Sequence, residues 1–383
     1  MYILKNGSWL APDGTYHMGS LRLDGAYIDS VETDSRTGDV LDMTGLRVLP
    51  GLIDVHTHGA VGYDTMQAAP EQIVEWSRFL ARNGVTAYFP TTLTASMEDI
   101  RRALRHVRTA SESADLGASI VGAHIEGPFL SAKFKGTHEE TLLCDPSIPD
   151  TDTFREILGP KLRMRMTVAP ELPGAMELIR HIADFGGTVS VGHCDASYEV
   201  ACRALAAGAT SFTHLFNAMK GLHHREPGTV GAGLTTEAYA EAICDGIHLH
   251  PATVKLIYRT KGPDKMVAIT DAMQAAGLRD GDYPFAGAMV HVEGGVARNP
   301  AGNLAGSTLL LRNGVKNIAK FAGITPEQAL QTATLNPARA VGLDKITGSI
   351  VPGKLADLVA VDEKGAIRYT FCRGRLVYDA AKG

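Results

Sequence analysis

IVGAHIE, residues 120–126, is an apolar run closed by a carboxylate, and its form governs the reading of the whole chain. A strand with one face in water alternates polar and apolar residues. This run does not, which suits a strand covered on both faces, as in a parallel sheet flanked by helices. The same apolar character recurs in seven further segments, LIDVH (52–56), TAYFP (86–90), MRMTVAP (164–170), TVSVGH (188–193), TSFTHLF (210–216), AEAICDG (240–246) and MVAITDA (266–272). Helix-patterned stretches such as PEQIVEWSRFLARNG (70–84) and SYEVACRALAAG (197–208) lie between most of them. Eight β-α units predict an α/β fold of the closed (β/α)8, TIM-like kind. A doubly wound open sheet is the rival, but no GxGxxG follows the first strand.

Outside this rhythm the chain turns to short strands. SLRLDGAYIDSV (20–31) bends at Asp24 and Gly25, VLDMTGLRVLP (40–50) follows, and KLADLVAVDEKGAIRYTFCRGRLVYD (354–379) bends at Lys364 and Gly365. The expected division is a small β-sandwich domain from residues 1–48 and 345–383, with the barrel over 49–344.

Composition narrows the partners. The 37 basic and 42 acidic residues leave a net charge of −5 without a basic run, so nucleic acid is not expected. Five cysteines form an odd set with no CxxC spacing, against both a disulfide framework and a zinc ribbon. The start MYILKNGSWLAPDG lacks the basic and apolar stretches of a signal peptide, and no window nears about 18 uninterrupted apolar residues. The expectation is a cytoplasmic chain with no membrane partner.

Polar residues at strand ends point to a metal. His56 and His58 sit two apart, so an extended backbone turns both imidazoles to one side. Glu126 ends the third strand, His193 the fifth, His214 lies in the sixth and Asp271 ends the eighth. In a (β/α)8 barrel the C-terminal rim is where active sites are built. A carboxylate at the end of an apolar strand needs a cation or several donors, and four imidazoles with two carboxylates suit Zn²⁺, Fe²⁺ or another first-row divalent ion such as Mn²⁺ or Co²⁺ better than Ca²⁺ or Mg²⁺.

These residues carry a resemblance. PGLIDVHTHG (50–59), NPARAVGL (336–343) and GSIVPGKLADLVAVD (348–362) resemble the amidohydrolase superfamily. AHIEGPFLSAKFKGTH (123–138), VSVGHCDAS (189–197), TSFTHLFNAM (210–219), REPGTVGAGL (225–234), DGIHLHP (245–251) and VAITDAM (267–273) are narrower, and resemble its deacetylases of N-acetylglucosamine 6-phosphate. The resemblance spans essentially the whole chain. It implies Glu126, His193 and His214 as main metal ligands and Asp271 as acid/base. With His56 and His58 present, a two-ion site bridged by Glu126 is expected, with Asp271 beside it as a further ligand. It implies His138, Asn217, Ala218, Arg225 and His248 as substrate contacts, extended to Thr137, to Asp245, Gly246 and Ile247, and to Leu304, Ala305 and Gly306. Arg225 is expected at the phosphate of a neighbouring subunit's substrate, in a homodimer. The role expected for the chain is amino-sugar catabolism or cell-wall recycling.

Three rivals stay open at this point. The first is the same reaction on N-acetylgalactosamine 6-phosphate, which differs in one hydroxyl. The second, a cyclic-amide hydrolase or deaminase, commonly carries lysine or histidine where Glu126 stands. The third is a barrel that has lost catalysis and serves in binding or assembly.

Overall fold

The structure, a computed structural model, describes residues 1–31 and 38–382; positions 32–37, inside the expected small domain, and Gly383 lie outside the described residues. Eight strands of the middle region run parallel: β1 (Leu52–Thr57), β2 (Val85–Thr92), β3 (Gly122–Glu126), β4 (Arg163–Val168), β5 (Thr188–Val191), β6 (Ser211–Phe212), β7 (Tyr239–Ile243) and β8 (Met266–Ile269). Each pairs with the next in sequence. The ring closes between the last and the first, where the Asp271 amide donates to the His56 carbonyl at 2.9 Å and the His58 amide to the Ala272 carbonyl at 2.8 Å. Every residue of β1, β2 and β3 is buried, as continuous apolar runs require.

The surrounding helices follow from their apolar stripes. Pro70–Arg82 buries Ile73, Trp76 and Leu80, spaced to share one face, and Ser197 caps Tyr198–Ala206 by accepting from the Val200 amide, a contact of about 1 kcal/mol. Gly228–Thr235 has no such stripe; Gly228 through Leu234 are all buried. Trp76, Tyr88, Phe129, Phe154 and Phe212 belong to the main core.

A separate sheet joins the chain ends. Its order is Arg375–Asp379, Ile367–Cys372, Leu358–Val361, Arg47–Pro50, Tyr2–Leu10, Tyr16–Asp24 and Tyr27–Val31, with Asp39–Asp42 beside Tyr2–Leu10. The expected bends lie at Gly25 and Gly365, both with positive φ. The sheet has its own core, including Leu4, Trp9, Leu21, Ile28 and Phe371. A third element was not anticipated from the sequence: after β8, Gly281–Phe285, Ala288–Glu293 and Val296–Arg298 form a small antiparallel sheet whose Phe285 and Val290 pack with Leu93 and Met273. Among the described residues no helix is long and apolar enough to cross a membrane, and all five cysteines are free.

Candidate metal centre

The six side chains expected to meet do so at the C-terminal rim. His56 lies within β1 and His58 just beyond it, Glu126 is the last residue of β3, and His193, His214 and Asp271 each stand two residues past β5, β6 and β8. Those last three take left-handed backbone, with φ of +47°, +29° and +49°. For residues other than glycine this conformation costs about 1–3 kcal/mol and persists where the surroundings impose it, commonly at functional sites. The kink also turns Cys194 away from the centre, its Sγ 3.3 Å from Thr229 Oγ1.

Glu126 is the hub. Its Oε2 lies 3.3 Å from His56 Nε2 and 3.1 Å from His58 Nε2, and the latter is 3.2 Å from Asp271 Oδ1. Its Oε1 lies 3.4 Å from His193 Nε2 and 3.2 Å from His214 Nε2, which are 3.1 Å apart. One carboxylate thus divides the histidines into two groups, one at each oxygen.

The opposite edge of every ring is held. His56 Nδ1 faces Glu241 Oε2 at 3.2 Å, His58 Nδ1 the Thr91 carbonyl at 3.2 Å, His193 Nδ1 the Phe134 carbonyl at 2.8 Å and His214 Nδ1 the Asn217 carbonyl at 3.1 Å. An oxygen acceptor at Nδ1 places the hydrogen there and leaves the Nε2 lone pair facing Glu126, the tautomer a metal ligand requires. The donor set therefore fits divalent first-row ions.

His138 is arranged the other way. The Thr94 amide donates to its Nδ1 at 3.2 Å and Thr94 Oγ1 lies 2.7 Å away, so the hydrogen belongs on Nε2, 3.7 Å from Glu126 Oε2. Burial pushes the His138 pKa down to about 4, which keeps the ring neutral. His138 therefore presents an N–H donor to the site. Gly127 protects this arrangement: its φ is +92°, and a Cβ there would fall 2.1 Å from Thr94 Oγ1.

Electrostatics follow the same plan. Burial pushes the Glu126 carboxyl up, but His56 beside it and the facing imidazoles of His138, His193 and His214 hold it well below the usual range. Burial also raises Asp271, and His56 and His58 against it overcome this and bring it to about 2. Both carboxylates are ionised at neutral pH.

A cavity of about 480 Å³ opens onto this centre, within the range of small-molecule sites. Of the residues expected to contact substrate, Thr137, His138, Asn217, Ala218, His248, Leu304 and Gly306 line it. Asp245, Gly246, Ile247, Ala305 and Arg225 do not. Asp245 instead orients His248, its Oδ2 2.6 Å from Nδ1, and Ala305 is buried behind the wall. Arg225 lies on an exposed loop with its Nη1 2.8 Å from His224 Nε2. Sequence reasoning missed Phe285, whose ring meets His58 edge-on at 5.6 Å, and Thr94. It also missed Glu241 and Arg165, a fully buried ion pair below the centre. Burial raises Glu241, and the adjoining guanidinium together with His56 and His214 more than offsets it.

Residues 47–377 match the amidohydrolase family. N-acetylglucosamine-6-phosphate deacetylase of Vibrio furnissii is 40% identical over 347 residues, covering 90% of this chain and 86% of that one. N-acetylgalactosamine-6-phosphate deacetylase of Escherichia coli O157:H7 is 37% identical over 376 residues, covering 98% and 99%. The crystal structure of N-acetylglucosamine-6-phosphate deacetylase from Thermotoga maritima superposes with a TM-score of 0.88 at 33% identity, over 99% of this chain and 100% of that one.

Proposed function

The chain belongs to the amidohydrolase family, and on that premise we propose that it hydrolyses the acetamide of N-acetyl-D-glucosamine 6-phosphate, releasing acetate and D-glucosamine 6-phosphate. The observation that carries the reading is the division of His56 and His58 from His193 and His214 by the two oxygens of Glu126. It supports two divalent ions, zinc or iron before manganese or cobalt, which His56, His58 and Asp271 on one side and His193 and His214 on the other would hold with Glu126 between them. Ions held there supply a Lewis acid and lower the pKa of a coordinated water from about 15.7 to roughly 7.

The chain's own residues then divide the work. Asp271 accepts the proton of the attacking water and delivers it to the sugar nitrogen as the amide C–N bond breaks. His138 Nε2–H donates to the acetyl oxygen as negative charge gathers on it; the Thr94 contacts favour His138 over His248 for this task. His248, steered by Asp245, is left to hold a sugar hydroxyl. Thr137 and the Leu304–Gly306 turn enclose the sugar. Asn217 and Ala218 stand at the phosphate end, joined by Arg225 from a second copy in a homodimer, an assignment consistent with its distance from its own cavity.

The test is to incubate metal-replete protein with N-acetylglucosamine 6-phosphate, N-acetylgalactosamine 6-phosphate and unphosphorylated N-acetylglucosamine, and to quantify acetate. Fastest release from the first is expected. Preference for the second, which the Escherichia coli relative's name keeps in view, would reassign the substrate, and no acetate from any of them would remove the deacetylase reading.

Arg225→Ala should raise KM for the phosphorylated sugar about 10- to 100-fold, the scale of one charge-assisted hydrogen bond, with kcat little changed. Unphosphorylated sugar should be hydrolysed as before. Equal losses on both sugars would take phosphate recognition away from Arg225.

A further inference from the structure

Beneath the two histidine groups lies an ion pair that the reaction as described does not use. Arg165, on β4, and Glu241, on β7, are both fully buried and joined through Arg165 Nη2 and Glu241 Oε1. Arg165 Nη2 also donates to Ser211 Oγ at 2.9 Å on β6. The other carboxylate oxygen faces upward: Glu241 Oε2 accepts from His56 Nδ1 at 3.2 Å and from the His214 backbone amide at 3.3 Å. One carboxylate thus touches a histidine of each group, on the side away from Glu126.

A buried carboxylate paired with arginine is weak ground for stability, because desolvating both charges cancels much of their attraction. Its geometry here has a different consequence. The Nδ1 atoms of His58, His193 and His214 are held by main-chain carbonyls, which no substitution of a side chain removes. His56 alone of the four relies on a side chain, and that side chain is held by Arg165. Without the acceptor, the His56 ring loses its preference for the tautomer with a free Nε2 lone pair.

We propose that the Arg165–Glu241 pair is a positioning element that sets the His56 tautomer and thereby the affinity of the ion position formed by His56, His58, Glu126 and Asp271, leaving the His193/His214 position little changed. The proposal rests on the two-ion reading given above.

The test titrates metal-free protein with Co²⁺, following the cobalt absorption bands and bound ions per chain, in the wild type and two double variants. Arg165→Met/Glu241→Leu removes both charges together, so no unpaired charge stays buried, and also removes the acceptor. Arg165→Met/Glu241→Gln keeps an uncharged acceptor oxygen. We expect the leucine variant to bind the first ion as the wild type does and the second about 10- to 100-fold more weakly, the usual effect of losing a group that orients a ligand. The glutamine variant should recover most of the second affinity. If the leucine variant fails to fold, Arg165→Met/Glu241→Ala supplies the acceptor-free arm. Two double variants that behave alike, whether both keep or both lose the second ion, would overturn the positioning role. A wild type that binds a single Co²⁺ would instead overturn the two-ion reading itself.

Discussion

Glu126→Gln is expected to leave the barrel folded while stripping the centre of its ions and lowering turnover to below about a thousandth of wild type. The side chain keeps its shape, so the packing of β3 is unchanged, and only the charge and one oxygen are lost. Whichever way the amide lies, one histidine group then faces an NH2 donor instead of a ligand oxygen, and both lose the negative charge that lies within 3.4 Å of their Nε2 atoms. Removing a group that merely orients a ligand costs about 10- to 100-fold in metal affinity, and a shared direct ligand should cost more. For turnover, one oxyanion donor alone is worth about 10²–10³ in kcat, and here water activation and Lewis acidity go together, which sets the thousandfold bound, about 4 kcal/mol. Circular dichroism reports the fold, and metal analysis after dialysis reports the ions. A folded variant with two ions per chain and a tenth of wild-type turnover would remove Glu126 from the bridging position.

Why this residue could be singled out beforehand, and Glu241 could not, lies in their surroundings. Glu126 closes a largely apolar strand and precedes Gly-Pro, so its carboxylate stands at a strand end, where a barrel builds its site. Glu241 sits near the middle of β7, where the same carboxylate has no exit and reads as one more strand residue; only the fold brings Arg165 of β4 against it. The eight strands were legible because burial on both faces leaves continuous apolar runs. The small sheet after β8 was not, since Gly281–Phe285 and Ala288–Glu293 are half exposed and carry no long run. The tautomers were out of reach in principle: His58, His193 and His214 are steered by main-chain carbonyls, which any residue supplies. The same holds for the left-handed backbone at His193, His214 and Asp271, which no glycine marks.

Asp271→Asn separates holding metal from moving protons. Asp271 Oδ1 approaches His58 Nε2 at 3.2 Å and His56 Nε2 at 3.6 Å, on the cavity side of the centre, while the His193/His214 group contacts Glu126 without it. The variant should therefore retain the ion at His193 and His214, and the amide, nearly the same size, should keep the loop after β8 in place. Its amide nitrogen has no lone pair to accept a proton and its carbonyl oxygen is a feeble base, so neither the attacking water nor the departing amine is served. A positioned general acid/base contributes about 10²–10⁴-fold, and the loss is expected in kcat with KM for the phosphorylated sugar little altered, because the contacts that hold the sugar and its phosphate are untouched. Single-turnover acetate release, read alongside metal content, makes the assignment checkable. Retention of more than about a tenth of wild-type kcat with the ion in place would mean that another group carries the proton. A fall in kcat that tracks loss of metal at His193 and His214 would instead make Asp271 a ligand first and a base second, and would move the proton-transfer role onto His138 or His248, the two histidines lining the cavity that belong to neither group.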